Sequence, residues 1–148
     1  MRRATIEDQD NLAVAWAFFM SKYNHCAVTF EQGLSFIMAH MNIGCFFFVL
    51  VDGQGFFHGL VECILIEDVV PPYRRGAVPY IFVADLLRPA GEQMLLRQVR
   101  RWISDYQLEG LDVYTHPGSE WHKTLLASGY TEDIVVMQRR YTPCQPHS

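Results

Sequence analysis

The amino-acid sequence predicts a single α/β domain. Two observations carry this prediction: apolar residues recur at helical spacing in several segments, and compact runs of β-branched and aromatic residues stand between those segments. With 148 residues the chain fits one domain, and its 50% hydrophobic content against 19% charged residues excludes a disordered protein. Because no repeat, low-complexity stretch or linker interrupts the pattern, residues 1–141 are predicted to form the domain and residues 142–148 a polar tail.

The N-terminal third is predicted to form a short strand and two helices. The strand is Arg2–Thr5, and Thr5 can cap a helix whose first turn carries Glu7 and Asp8, because acidic side chains complement the helix dipole there. The second helix begins at the capping box Thr29-Phe30-Glu31-Gln32. The apolar faces predicted for the two helices are Leu12, Trp16, Phe19 and Met20 on the first, and Phe30, Leu34, Ile37, Met38 and Met41 on the second.

A hairpin and a further strand are predicted in the middle of the chain. Cys45–Val51 and Phe56–Glu67 are extended apolar runs around the glycine-rich turn Asp52-Gly53-Gln54-Gly55. Residues 71–76 are predicted to form a loop, because two adjacent prolines are unsuited to a central strand. The strand Val78–Leu87 follows.

Helices and strands alternate in the last third of the chain. Gly91–Gln107 is predicted to form a helix, Leu111–Thr115 a strand, Ser119–Ser128 a helix that Gly129 ends, and Ile134–Tyr141 a last strand. The side chains predicted to face inward from the first of these helices are Leu95, Val99, Trp102 and Tyr106.

Charge and cysteine content exclude several classes of protein. The net charge of −4 leaves no overall basic field, so general nucleic-acid binding is not expected. Four scattered cysteines without a Cys-x-x-Cys pair are typical of reduced thiols, and the longest apolar runs are far shorter than the roughly 20 residues that span a bilayer. We therefore expect a soluble cytoplasmic protein without a membrane segment. His116 and His122 lack further ligands at metal-binding spacing, so no metal site is expected.

Two carboxylates interrupt apolar strand runs and are candidate general bases. Glu62 stands inside the run Phe56–Glu67, and Asp85 stands near the end of the strand Val78–Leu87. A carboxylate in a site can take the proton from an amine, directly or through water. The alternatives are a solvent-facing position for Glu62, and a loop-capping or Arg88-paired carboxylate for Asp85.

The order of these elements resembles the GNAT superfamily of acyl-CoA-dependent N-acetyltransferases, over nearly the whole chain up to Tyr141. Four local phrases resemble that superfamily as well: the opening Met1–Asp8, the strand Cys45–Val51 with its turn, Leu87-Arg88-Pro89 before Leu95-Leu96, and His116–Ser119 before a helix that ends in Gly129-Tyr130. The resemblance implies a central, mixed, mostly antiparallel twisted sheet that is flanked by about four helices.

The resemblance also implies an activity: transfer of an acyl group from acetyl-CoA or another acyl-CoA to the amine of a small molecule or peptide, by an enzyme that is often a homodimer. It implies a thioester held between two splayed strands, where a strand amide near Leu86–Leu87 polarises the carbonyl. Asp85 and Glu62 are then the expected catalytic residues, and Tyr73 and Arg74 the expected substrate-binding residues. The residues expected to bind the cofactor are Leu86, Leu87, Arg88, Gly91, Glu92 and Gln93.

Two departures from the superfamily pattern bear on this activity. The usual phosphate-binding signature is Arg/Gln-x-x-Gly-x-Gly/Ala, in which backbone N–H groups and a helix dipole receive the pyrophosphate. Between Pro89 and Leu95-Leu96 the segment is roughly four residues too short for this signature, and only Gly91 survives. Glu92 adds a carboxylate that would repel phosphate. The tyrosine that protonates the leaving thiolate in many members is replaced by Leu125, and the neighbouring aromatic alternatives are Tyr114, Trp121 and Tyr130.

These departures predict a degenerate cofactor site. They also leave a second hypothesis open: a catalytically inactive binding or structural module of the same fold, of the kind that bacteriophages also encode.

Overall fold

The helices and strands follow the predicted order in the computed structural model, which describes residues 1–24, 26–69, 72–115 and 117–131. The predicted strand Ile134–Tyr141, the tail 142–148 and His116 lie outside the described residues. The helices are α1 (Gln9–Asn24), α2 (Phe30–Asn42), α3 (Ala90–Asp105) and α4 (Glu120–Ala127), and short 3₁₀ turns span Ile6–Asp8 and Asp85–Leu87. The strands are β1 (Arg2–Arg3), β2 (Phe46–Val51), β3 (Phe57–Val69), β4 (Pro72–Val78), β5 (Ile81–Val83) and β6 (Gly110–Val113).

The long strand β3 organises the sheet. On one edge β3 pairs with β2, and on the other it pairs with two shorter strands, one after the other. β5 lies along its first half, with Val83 opposite Gly59, and β4 lies along its second half, with Ala77 opposite Ile64. β6 pairs parallel to β4, whereas the other pairs are antiparallel. The predicted α/β class with a mixed, mostly antiparallel sheet is confirmed.

Two apolar cores cover the two faces of the sheet. The core beneath α1 and α2 contains Leu12, Ile37, Phe47, Val49, Leu60 and Tyr80. The core beneath α3 and α4 contains Val61, Cys63, Leu95, Val99, Trp102 and Leu125. Because helices cover both faces, consecutive residues of β3 are buried on opposite sides.

Most of the predicted helix faces are buried, with two exceptions on α2. Leu95, Val99 and Trp102 are buried as predicted, and Leu12 and Ile37 are fully buried on the other face. Phe30 and Met38, which were predicted to lie in the core, are each 42% exposed because they stand at the edge of the α2 stripe. None of the helices in the described ranges is long and apolar enough to cross a bilayer.

Two strand predictions were wrong. Residues 72–76, predicted as part of a loop, belong to β4, which begins at Pro72. A proline is tolerated at the first residue of a strand, where its missing N–H interrupts no interior ladder. The predicted strand Val78–Leu87 is broken at Pro79-Tyr80 into the end of β4 and the short β5, and a 3₁₀ turn follows. This break creates the candidate site described below.

A carboxylate clasp closes the N-terminal turn. Both terminal nitrogens of the Arg2 guanidinium donate to the Asp8 carboxylate, at 2.6 and 2.8 Å, and the backbone N–H of Thr5 donates to the same carboxylate at 2.8 Å. Asp8 is buried, and the hydrogen bonds from Arg2 hold the pKa of its carboxyl below the usual value.

Replacement of Asp8 by asparagine is expected to lower the free energy of unfolding by about 1–2 kcal/mol at pH 7, because the charge that faces Arg2 is lost. The folded-state pKa is lowered, so the stabilisation is present above the unfolded-state pKa of about 3.9 and is lost as the pH falls through the folded-state pKa. Urea unfolding of both proteins at neutral and acid pH measures this difference. An equal stability gap at both pH values contradicts the prediction.

Candidate functional site

The sheet splays open where β4 ends. β6 follows β4 in parallel as far as Val78, whose carbonyl accepts a hydrogen bond from the N–H of Tyr114 at 3.0 Å. Beyond Pro79-Tyr80, β5 continues along β3, and no strand in the described part of the chain pairs with its other edge. A gap between β5 and the residues that follow β6 therefore opens beyond the parallel pair.

The edge of β5 that no described strand pairs with presents backbone N–H groups to this gap. The N–H of Glu62 donates to the carbonyl of Tyr80 at 3.3 Å, and the N–H of Ala84 donates to the carbonyl of His58 at 2.8 Å. Backbone groups of successive residues in a strand point to opposite edges. The N–H groups of Ile81 and Val83 consequently point away from β3 and into the gap.

Two small clefts border the gap and share Ile81 and Arg88. The first has a volume of about 80 Å³, lies on the α1 side, and is also lined by Phe18, Lys22, Asp85 and residues 82–84. The second has a volume of about 20 Å³ and lies on the α4 side. Its remaining lining residues are Phe19, Tyr114, Thr115, Ser119 and Trp121. Both clefts reach β5 through Ile81.

Helix α3 begins directly beside β5. Gly91, in its first turn, is buried, and a Cβ atom at this position would lie 2.7 Å from Val83 Cγ1. Glycine therefore allows the helix N-terminus to rest on β5. If the phosphate-binding signature is aligned so that Arg88 is its first residue, Arg88 and Gly91 match it. Gln93 then stands where the signature has Gly or Ala.

The carboxylate of Glu92 is turned into the protein. Glu92 is 2% exposed, and its Oε2 accepts a hydrogen bond from Thr124 Oγ1 on α4 at 2.8 Å. Its Oε1 lies 3.4 Å from Nε of Arg88. The negative charge is thus balanced within the protein, and Glu92 links α3 to α4. The expectation that its carboxylate stands in front of the helix N-terminus and repels phosphate was wrong.

The residues just after β5 lie at the site in a different conformation from the one predicted. The prediction that Asp85–Leu87 end a strand was wrong, since they form a 3₁₀ turn. The strand N–H groups that face the gap are accordingly those of Ile81 and Val83. The Asp85 side chain is 81% exposed, lies 3.8 Å from Arg88 and lines the larger cleft. Leu86 is exposed, whereas Leu87 packs against the core beneath α3.

Tyr73 and Arg74 lie at the opposite end of β4. Nε of Arg74 is 3.1 Å from Glu67 Oε1, and the Tyr73 hydroxyl lies over Gly110. At about 3.3 Å per strand residue, Arg74 is about 16 Å from the break at Pro79. The structure therefore does not bring these two predicted substrate-binding residues to the gap.

Glu62 lies apart from both clefts, in a buried cluster on the α1–α2 face. It is fully buried, and its Oε1 is 2.5 Å from Nδ1 of His40. Burial raises the pKa of its carboxyl despite the opposing effect of His40. Burial, together with the Glu62 carboxylate, raises the pKa of the Cys45 thiol to about 11 and raises that of the Tyr80 hydroxyl well above its ordinary value.

One of the three aromatic alternatives places a hydroxyl-bearing side chain at the smaller cleft. Leu125, at the position of the superfamily tyrosine, is 4% exposed and belongs to the core. Tyr130 packs against the same core, whereas Tyr114 lines the smaller cleft and is 52% exposed. Of the three aromatic alternatives, Tyr114 alone combines a hydroxyl with a position at the gap.

Sequence reasoning missed Ile81 and Lys22 as site residues. Pro79 was the available signal for Ile81, because a proline inside a strand run marks a break in its pairing. No local pattern singled out Lys22, which the packing of α1 against the sheet brings to the larger cleft.

Comparisons with known proteins agree on the fold. No protein-family model matches the chain, and no curated protein matches it by sequence. The structure is similar to the crystal structure of a probable acetyltransferase, with a TM-score of 0.78 and 16% identity over 99% of this chain and 100% of that one.

Two further solved structures that are named as acetyltransferases are similar to this chain. The ribosomal-protein-alanine N-acetyltransferase of Brucella melitensis has a TM-score of 0.69 and 15% identity, over 94% of this chain and 97% of that one. An acetyltransferase of Trypanosoma brucei has a TM-score of 0.74 and 10% identity, over 95% and 97%. Together with the splayed strands and the order of elements, these similarities show that the chain has the fold of the GNAT superfamily of N-acetyltransferases.

Proposed function

We propose that this protein transfers an acyl group from an acyl-CoA to the amine of a small molecule or peptide. The observation that carries the proposal is the edge of β5 that no described strand pairs with, where the N–H groups of Ile81 and Val83 face a gap in the sheet. A thioester carbonyl in that gap accepts a hydrogen bond from a preorganised strand amide, and negative charge develops on this oxygen during acyl transfer.

The proposed reaction replaces a C–S bond with a C–N bond and includes two proton transfers. The amine nitrogen attacks the thioester carbon, so the C–N bond forms and the C–S bond breaks as the tetrahedral intermediate collapses. Asp85, at the larger cleft, takes the proton from the amine, directly or through water. Tyr114, at the smaller cleft, donates a proton to the departing coenzyme A thiolate.

Arg88 and the first turn of α3 would hold the pyrophosphate of the acyl-CoA. The N–H groups of the first helical turn have no partners within the helix and attract anions. Arg88 adds a positive charge at the same end, although its Nε also faces Glu92. Gln93 replaces the small residue of the signature, and it is half-buried in the first turn.

Thermal unfolding with acetyl-CoA and with free coenzyme A tests this proposal. A ligand at about 1,000 times its Kd stabilises a folded protein by about 4 kcal/mol through mass action. We expect a higher Tm with either ligand, and consumption of the thioester when an amine acceptor is added. An unchanged Tm with every acyl-CoA tried would overturn the proposal and favour a fold without this chemistry.

Replacement of Asp85 by asparagine is expected to lower kcat about a hundredfold, the low end of the range for general bases, because the side chain is exposed. Acyl-CoA binding should be retained. Asp105→Asn is the matched control, since Asp105 is an exposed carboxylate at the far end of α3. Wild-type turnover in the Asp85→Asn protein would remove Asp85 from the mechanism.

The proposed function also implies where the protein works and whether it pairs with a second copy. The described cysteines, Cys26, Cys45 and Cys63, are free, which fits a reducing cytoplasmic compartment. A homodimer is the further expectation from the resemblance, and light scattering tests it by a mass twice that of one chain.

A further inference from the structure

Three side chains with metal-binding atoms converge beneath α2, away from both clefts. His40 belongs to the last turn of α2, Cys45 immediately precedes β2, and Glu62 lies in β3. The N–H of Cys45 donates to the carbonyl of His40 at 3.1 Å, across a turn in which Gly44 has φ +86°. This turn returns the chain and places Cys45 against the side of α2 that carries His40.

The donor atoms of these residues lie close enough to share one ion. The nitrogen, sulfur and oxygen atoms are all within 4.8 Å of one another. The Cys45 residue is 6% exposed and Glu62 is fully buried. The His40 side chain is 24% exposed, and it therefore connects the cluster to solvent.

Two polar atoms in the cluster have no hydrogen-bond partner among the described residues. They are Oε2 of Glu62 and the hydroxyl oxygen of Tyr80, both buried. Burial, followed by the charges of Glu62 and Cys45, raises the pKa of the Tyr80 hydroxyl. A buried polar atom without a hydrogen-bond partner is costly.

We propose that His40, Cys45 and Glu62 bind one divalent transition-metal ion of the Zn²⁺ class. Imidazole nitrogen, thiolate sulfur and carboxylate oxygen are the three ligand types that Zn²⁺ takes in proteins. A thiolate and an imidazole disfavour Mg²⁺ and Ca²⁺, which prefer shells of oxygen atoms. Tyr80 belongs to the same buried cluster as Cys45, and in this proposal its hydroxyl or a water molecule supplies the fourth ligand.

Binding requires a small local rearrangement. Ligand bonds of about 2.0–2.3 Å at tetrahedral angles place ligand atoms roughly 3.3 Å apart, so His40 and Glu62 must separate by somewhat less than 1 Å. His40 can make this movement because it is partly exposed at the end of a helix. The ion ties α2 to β2 and β3, which makes its role structural.

Cobalt binding tests the proposal on the full chain, after chelator treatment and without an affinity tag. Co²⁺ occupies Zn²⁺ sites, and a bound thiolate gives a charge-transfer absorption in the near ultraviolet. We expect this absorption to saturate at one Co²⁺ per chain, and Zn²⁺ to abolish it and to raise the Tm. Wild-type protein without this absorption overturns the proposal.

Single variants identify the ligands. Cys45→Ser is expected to remove the charge-transfer absorption, and His40→Gln and Glu62→Gln to weaken metal binding at least tenfold. The controls are Cys26→Ser, which removes the exposed thiol, and His58→Gln, which removes a histidine paired with Asp52. Both controls should bind metal as the wild type does.

Retention of the cobalt–thiolate absorption by Cys45→Ser overturns the assignment, as does its loss in the Cys26→Ser control. Circular dichroism reports whether each variant is folded. If the buried Cys45 and Glu62 variants unfold, the His40→Gln variant decides the question, because this side chain is partly exposed. Undiminished affinity in that variant contradicts the proposal.

Discussion

Replacement of Ile81 by proline is expected to lower kcat for acyl transfer by about 10²–10³, which corresponds to about 2.7–4 kcal/mol. Proline removes the N–H that we propose to stabilise the developing negative charge on the thioester oxygen. The substitution removes no hydrogen bond of the sheet, because this N–H faces away from β3, and proline is tolerated at such an edge position. Steady-state kinetics with acetyl-CoA and an amine acceptor measures the loss.

Two controls separate the lost N–H from the altered side chain. Ile81→Val keeps the backbone donor and should retain most of the activity. Replacement of the Ile81 residue by its α-hydroxy-acid analogue keeps the side chain and exchanges only N–H for oxygen, so it should reproduce the loss. A folded Ile81→Pro protein that binds acetyl-CoA and turns over at the wild-type rate contradicts the mechanism.

Replacement of Trp102 by alanine is expected to lower the free energy of unfolding by about 3–5 kcal/mol, because a large buried ring is lost and a cavity remains. Trp102 is 1% exposed and lies in the core between α3 and the sheet. Its ring centroid is 5.9 Å from that of Phe46 and 6.1 Å from that of Tyr106. Since domains of this size are stable by about 5–15 kcal/mol, the variant should unfold at a much lower denaturant concentration.

Gly76 provides an independent check on this packing. A Cβ atom at Gly76 would lie 2.5 Å from Cζ3 of Trp102, so Gly76→Ala should destabilise the wild type by about 1–3 kcal/mol. In the Trp102→Ala background the same substitution should cost less, because the ring that it meets is absent. The exposed Arg101→Ala is the control and should change stability by less than about 0.5 kcal/mol. If the losses in unfolding free energy from Gly76→Ala and Trp102→Ala simply add in the double variant, the two residues are not in contact as described.

The local pattern of the sequence was sufficient for most helices and strands. Leu95, Val99 and Trp102 repeat at helical spacing, and this spacing correctly predicted the buried face of α3. The capping box at Thr29 and Gln32 is formed as predicted, since it depends only on residues within one turn. Sequence patterns thus predicted the elements whose hydrogen-bond partners are close together in the sequence.

The predictions that failed depended on distant partners. Pro72 was assigned to a loop because the sequence does not reveal that β3 and β6 lie on either side of β4. Glu62 had a solvent-facing alternative, because alternation along a strand does not show that helices cover both faces of the sheet. Glu92 was expected to face phosphate, yet Thr124, far away in the chain, draws its carboxylate inward.

The sequence by itself determined the α/β class, the order of the elements and the resemblance to GNAT acetyltransferases, because these follow from local periodicity and from short motifs. Tertiary structure alone decided which edge of β5 no described strand pairs with, and which residues line the clefts. It also decided that His40, Cys45 and Glu62 meet, because three elements must pack before their side chains can approach. A site built from several elements is a property of their packing, which no single segment encodes.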